Sequence, residues 1–571
     1  MYVELTGLRP PICQILTTCD TWLNAALFIC NNFKAICDFL GEIQHYCLID
    51  KELAVPSDQV EWKGCVNYSF QTTCIQVHDV QFLQENLKLK QTKDIIHLLR
   101  CNIDVIPTKL LPKNATKITI EDCKIVGIER GAFSDLNKLQ SLTIFSNSIA
   151  TLQSGVFERT SSLIDISIFN THLKNLEKGT FIGLHHLQNL DLSNNNLKTL
   201  VDGVFEDLRM LEVLDLQSNK IMFMHKNCFL GLHKLKYLYL SRNHLTYLIS
   251  SAFLPLRSLK ELFLNYNKLE QLRNQYFAGL SSLLKLYLKN NNVTLIDAGA
   301  FNNLKSLKYL DLSFNRIEPL DVKAFEGLEN LEDLILGNNA FGRILNNTFN
   351  HLKSVTYINL EYNNLENIED HIFSSLTKLS QINLGNCIIK NIKNFTFNDQ
   401  KSLQYLNLEN NYLIGIDNNM FDKLSKLTDL NLSGNKISHI KVNAFQNMVK
   451  LERLLLNKNE LKILDDRMFT GLNNLKELYL DSNNIETLTG GIFQKLPNLE
   501  VLSLSKNLIK NIEMYCFIGL IRLKELNLES NKLDYINKDV FGEIKYINLN
   551  LKNNPLSDVS MNEILLYLYN E

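Results

Sequence analysis

Several things are missing from this chain, and each absence removes a class of function. No apolar run approaches the roughly 20 residues that cross a bilayer; the nearest candidate is the short WLNAALFIC close to the N-terminus. Acidic residues number 61 and Lys plus Arg 59, so the net charge of −2 argues against a general basic surface for nucleic acid or anionic membrane. No run of like charges and no Pro- or Gly/Ser-rich linker divides the chain after about residue 110. HExxH, GxSxG, a P-loop, a CxxC pair and a helix-opening GxGxxG are absent, and the 12 histidines are scattered without ligand spacing. No catalytic residue, metal or cofactor is expected.

What the chain does have is a period. From Ala115 to Leu523, eighteen starts follow one another at 24-residue steps without insertion or deletion, in the frame LxxLxLxxNxLxxLxxxxFxxLxx. Counting each start as position 0, position 18 is phenylalanine in all eighteen repeats, from Phe133 to Phe541. Position 8 is asparagine in fifteen, with Cys123, Thr171 and Cys387 as the exceptions. A degenerate unit around Cys101, Ile103 and Ile106 precedes the array, and a shortened one carrying Leu549, Leu551, Asn554 and Leu556 follows it.

This frame resembles the leucine-rich-repeat family in its 24-residue, extracellular animal form with a phenylalanine spine. Each LxxLxL segment alternates as a strand with one buried face, and such strands bury their leucines only by stacking. The expected fold is therefore an α/β solenoid: a horseshoe with a concave parallel β-sheet and an irregular or short-helical convex side. The position-8 amide is expected to bond backbone groups of adjacent turns, and the phenylalanines to fill the convex side. Positions 1, 2, 4, 6 and 7 are left to face outward. At about 4.8 Å per strand, eighteen strands present a surface on the order of 85 Å long. The resemblance implies that this surface binds a protein, a glycan or a lipid-bearing partner and that the chain is not an enzyme.

On that surface, Tyr239, Phe263 and Tyr287 occupy position 4 of three successive repeats. Tyr237, Tyr266, Tyr309 and Phe314 surround them, interleaved with Lys236, Lys260, Lys285, Lys289 and Lys308. Grouped aromatics and cations suit interface anchors; the plainer reading is that tyrosine favours strands. Asn359, Asn383, Asn407 and Asn431 hold position 4 further on, flanked by Tyr357, Tyr362 and Tyr405. They are expected to bond one another, or else a polar ligand. Asp165, Asp191, Asp215 and Glu212 form an acidic group ahead of the aromatics, read as a solvated face or an electrostatic guide for a basic partner.

The ends are read from cysteines and helices. Residues 1–50 are expected to be a leader or signal-like segment, 51–114 a cysteine-containing cap with the degenerate first repeat, 115–556 the array and 557–571 a C-terminal cap. Cys65 and Cys74, in WKGCVNYSFQTTCIQVHDV, resemble the N-terminal cap of extracellular leucine-rich-repeat proteins, including insect immune ones, and that resemblance implies a disulfide between them. The tail NNPLSDVSMNEILLYLYNE resembles the entry into a C-terminal cap, with Leu565, Leu566 and Leu568 expected to pack on the last turn. The cysteines of such a cap are missing, which leaves a truncated end open. Sequons stand at Asn67, Asn114, Asn292, Asn346, Asn394 and Asn431. Cys228 and Cys516 have no evident partner and point the other way, to a reducing compartment. A secreted or peripherally cell-surface recognition protein in innate immunity or adhesion is the leading expectation, with no membrane span of its own, no nucleic-acid partner, and dimerisation open. The alternatives are a truncated Toll-like or adhesion-receptor ectodomain and an intracellular scaffold or inhibitor.

Overall fold

A computed structural model describes residues 63–67, 71–88, 94–318 and 320–569. The leader segment and the side chain of Asn67 lie outside the described residues. The chain divides into two compact units, Met1–Lys63 and Gly64–Glu571; everything that follows concerns the second.

That unit is one long solenoid. Its main sheet has 22 strands, and from Gln71 onward they run parallel. The register repeats as the frame does: Tyr237 lies beside Glu261, then Lys285, Tyr309, Asp333 and Tyr357, always at position 2. Positions 3 and 5 point inward, so Leu238 and Leu240, like their counterparts in every other repeat, are fully buried. Seven pairs of two-residue strands form short lateral ladders; Thr199–Leu200 beside Phe223–Met224 is one. The convex side is made of turns and two 3-10 segments, Asp466–Phe469 and Lys538–Phe541. There the eighteen phenylalanines are buried in a column, in which most adjacent rings stack, at 5.6 Å (Phe229–Phe253) to 6.3 Å (Phe397–Phe421).

Position 8 explains how so narrow a coil tolerates its buried backbone. Asn243 Nδ2 donates to Leu216 O of the preceding turn (2.9 Å) and to Leu240 O of its own (3.1 Å), while its Oδ1 accepts from Ile221 N at 2.9 Å. One amide thus satisfies three main-chain groups that water cannot reach. The exceptional cysteines keep part of this, whereas the Thr171 hydroxyl donates to Asn195 Oδ1 of the next turn (2.9 Å). The Cys387 thiol donates to Leu360 O (3.1 Å), but its sulfur is only a weak acceptor, and Leu365 N turns to the main-chain Cys387 O instead (3.0 Å).

Both ends of the column are closed. Strand Gly64–Asn67 pairs antiparallel with Gln71–Ile75, which places Cys65 opposite Cys74, and the two are joined by a disulfide. Helix Val80–Lys88 follows, with Leu83 and Leu87 fully buried against the first turns. The last turn is covered by helix Asp558–Tyr569. Here one expectation fails. Leu568 is buried, together with Ile564 and Ser560, but Leu565 and Leu566 are exposed. A helix buries residues four apart on one stripe, and the stripe through 560, 564 and 568 leaves 565 and 566 outside it.

Candidate binding surface

The strands present positions 2 and 4 to the open face. Tyr239 and Phe263 stack with centroids 4.5 Å apart and planes within 11°, and Phe263 and Tyr287 at 4.5 Å within 6°. Tyr309, from position 2 of the next repeat, extends the row at 5.1 Å and a 45° tilt. Parallel strands about 4.8 Å apart bring equal positions to the separation at which aromatic faces stack. The rings cover one another's faces and are half-buried. Burial pushes the Tyr239 phenol up to about 12, with Asp215 and Glu261 adding to the shift, so at neutral pH it remains a neutral donor.

Tyr266 and Phe314 do not join this row. They sit at position 7, in the bend that follows the strand, where the backbone is left-handed (φ 56° and 53°) and the side chain is carried to the rim. Arg242 lies over the Tyr266 ring and Lys289 over that of Phe314, each 5.1 Å from the centroid. The sequence-level cluster is therefore two structures: a stacked row on the sheet and separate aromatics on its edge. The interleaved lysines are mostly paired. Lys236 meets Glu212 at 2.7 Å, Lys285 meets Glu261 at 3.2 Å, and Lys308 meets Glu332. Among the described residues, Lys260 makes no ion pair.

The asparagines beyond the row are held by one another and by two glutamates. Glu361 accepts from Asn359 (3.1 Å) and Asn383 (2.9 Å), Asn407 donates to Asn383 (3.0 Å), and Asn431 donates to Glu409 (3.0 Å). Asn431 Oδ1 also accepts from Ser433, the third residue of its own sequon, through N at 3.0 Å and Oγ at 2.6 Å. With its amide committed and its side chain buried, Asn431 is expected to carry no sugar in the folded protein. Glycopeptide mapping of protein passed through a secretory host checks this; occupancy at Asn431 would contradict the geometry. Asn346 and Asn394 are exposed, whereas Asn114 and Asn292 are intermediate.

The acidic group is spread over separate local bonds: Asp165 accepts from Asn189, Asp191 from Ser193 N and Asp215 from Gln217 N. One aromatic pair was not foreseen. Phe145 and Phe169, at position 6 of successive repeats, stack at 5.0 Å within 3°. Their equal position was the available signal.

Charge is sorted along the sheet. Over the eighteen repeats, positions 1, 2, 4 and 6 carry 18 carboxylates and 9 cations, a net −9 on a chain whose total is −2. The four repeats from Leu235 to Leu307, which hold the stacked row, reverse that with 5 cations and 2 carboxylates. A cationic, aromatic band thus lies between two acidic reaches. Among the described residues no His, Cys, Asp and Glu group could hold a metal ion, and no helix is long and apolar enough to cross a membrane.

The family model described as Leucine rich repeat matches the chain in nine overlapping placements that run from residue 113 to 533. No curated protein sequence matches. Among solved structures, the Toll–Spatzle complex of Drosophila, in its glycosylated form, is similar at 20% identity and TM-score 0.63, covering 87% of this chain and 70% of that one. The mouse RP105/MD-1 complex is similar at 21% identity and TM-score 0.51, covering 89% of this chain and 90% of that one. A TLR13–ssRNA13 complex is 27% identical over 87% of this chain and 72% of that one, at TM-score 0.48.

Proposed function

The chain belongs to the leucine-rich-repeat family, and on that premise we propose that it is an extracellular, non-enzymatic recognition protein that binds a protein partner on its concave sheet, in innate immunity or cell adhesion. The observation that carries this is the Tyr239–Phe263–Tyr287–Tyr309 row. Burial of the convex phenylalanines stabilises the coil, but the row adds no core: it lies on the open side of strands whose leucines are already buried. Rings held by their neighbours lose little rotamer freedom when a partner covers them, which is what makes aromatics effective anchors. The acidic reaches on either side would set the register of a partner with basic flanks. A net −9 over the same face disfavours nucleic acid, whose phosphates demand cations. The same fold is held in complex with Spatzle and with MD-1 in the two structures above, and the proposal extends that use of it to this chain.

The test is a binding screen of the secreted chain against extracellular proteins, followed by the triple variant Tyr239→Ala/Phe263→Ala/Tyr287→Ala on whichever partner is found. Loss of one buried aromatic anchor costs about 2 kcal/mol, so the triple variant is expected to weaken binding by well over tenfold with circular dichroism unchanged. A folded variant of full affinity would remove the row from the interface.

A further inference from the structure

Position 7 takes a left-handed backbone throughout the array, and asparagine, serine and glycine commonly fill it, as at Asn290, Asn338, Ser482 and Gly434. Such residues tolerate that conformation, whereas a bulky one is strained there by roughly 1–2 kcal/mol. Among the bulky residues that nevertheless occupy it, which include Arg242, Lys458 and Lys506, the aromatic ones are Tyr266, Phe314 and Tyr362 at φ 56°, 53° and 55°. Nothing in the core repays them, because they are 46%, 42% and 54% exposed. Strain that packing does not offset points to a surface kept for contact.

The occupant is indicated by what shares that rim. Between the repeats lies a shallow depression of about 460 Å³, lined by Asn290, Asn292, Phe314, Arg316, Asn338 and Tyr362. Asn292 heads the sequon Asn292-Val293-Thr294; its main-chain N–H donates to Leu269 O at 3.0 Å, while its side-chain amide makes no hydrogen bond to any described residue. We propose that Asn292 carries an N-linked glycan whose first sugars lie along this rim, over Phe314 and towards Tyr362. The inference rests on the chain entering the secretory route. There the amide takes an oligosaccharide from a lipid-linked pyrophosphate donor. The sugar C1–O bond to pyrophosphate breaks, the C1–Nδ2 bond forms, and the amide loses one proton while the lipid pyrophosphate leaves. The C–H face of an N-acetylglucosamine suits the part of the Phe314 ring that Lys289 leaves exposed, and its hydroxyl and acetamido groups suit the amides of Asn290 and Asn338. From Asn290 to Tyr362 is three strand spacings, about 14 Å, a span that a few linked sugars cover. Seated there, the glycan would screen one edge of the concave face and leave the stacked row open.

Glycopeptide mapping of wild type from insect cells, with hydroxyl-radical footprinting of wild type and of Thr294→Ala and Asn292→Gln, tests this. The expected result is a glycan at Asn292 and a severalfold rise in oxidation of Phe314 and Tyr362 in both variants. Tyr266, outside the depression and under Arg242, is expected to stay unchanged. An empty Asn292 beside occupied Asn346 or Asn394 overturns the inference alone. Occupied Asn292 with no change at Phe314 and Tyr362 overturns the seating. If every sequon is empty, the secretory reading falls and this inference falls with it.

Discussion

Asn243→Ala is expected to destabilise the solenoid by about 4 kcal/mol, and to do so locally. The substitution removes no large apolar surface. It leaves Ile221 N, bonded to Oδ1 at 2.9 Å, without a partner, and it takes one of two amide bonds from Leu216 O (2.9 Å, with Asn219 remaining at 3.2 Å) and from Leu240 O (3.1 Å, with Asn267 remaining at 2.9 Å). One buried group left unpaired costs about 1–3 kcal/mol and each further hydrogen bond lost about 1 kcal/mol, and water has no route to a site that is only 3% exposed. Asn243→Cys is expected to be milder, because the native cysteine at 387 shows that a thiol keeps the bond to the preceding turn and the main chain can shift to take up the orphaned N–H. Asn243→Asp is expected to be worse than Ala at neutral pH, since a carboxylate would face two carbonyl oxygens without a proton to donate. Amide exchange in the repeats starting at Leu211 and Leu235 is the measurement. A loss of about 4 kcal/mol speeds local opening by nearly a thousandfold, and acceleration of less than tenfold would show that the ladder is not what holds these turns.

The ladder could be read from the sequence because its demand recurs every 24 residues without a break. The same holds for the inward leucines, the phenylalanine column and the Tyr239–Phe263–Tyr287 row, all of which depend on equal positions in successive turns lying side by side. What was not legible depends on where a side chain points within one turn. Position 7 counted as part of the open face, yet the strands beyond the first few repeats span only positions 2 to 4, as in Tyr237–Tyr239, and the left-handed bend carries Tyr266 and Phe314 to the edge. Ion pairing was hidden for a related reason. Lys285 meets Glu261 of the preceding repeat whereas Lys308 meets Glu332 of the following one, and no single spacing rule predicts both directions. At the C-terminus the repeat has ended, and with it the register that would have told Leu568 from Leu565 and Leu566.

Phe373→Ala is expected to produce the largest change in how the molecule unfolds. Phe373 is fully buried between Phe349, 6.1 Å away, and Phe397, 5.9 Å away, in a run of stacked rings that extends from Phe325 to Phe421. Truncating a buried phenylalanine costs about 3–5 kcal/mol, part of it for the cavity left behind. In a solenoid that cost is not shared by the whole chain, because each turn contacts only its neighbours and stability is a sum of repeat and interface terms. Alanine at 373 weakens the contacts on both sides at once and leaves intact columns above and below it. The polar supports of this region do not depend on the ring: Gln400 Nε2 donates to the Phe373 carbonyl at 2.7 Å and Ser375 Oγ to the Phe349 carbonyl at 2.9 Å, so the backbone there keeps its partners. The expected calorimetric result is two transitions, one for each side of the defect, with Phe373→Leu restoring most of the coupling by refilling the space. A single transition within about a degree of wild type would mean that the column is redundant and that the asparagine ladder and the leucines alone transmit cooperativity along the coil.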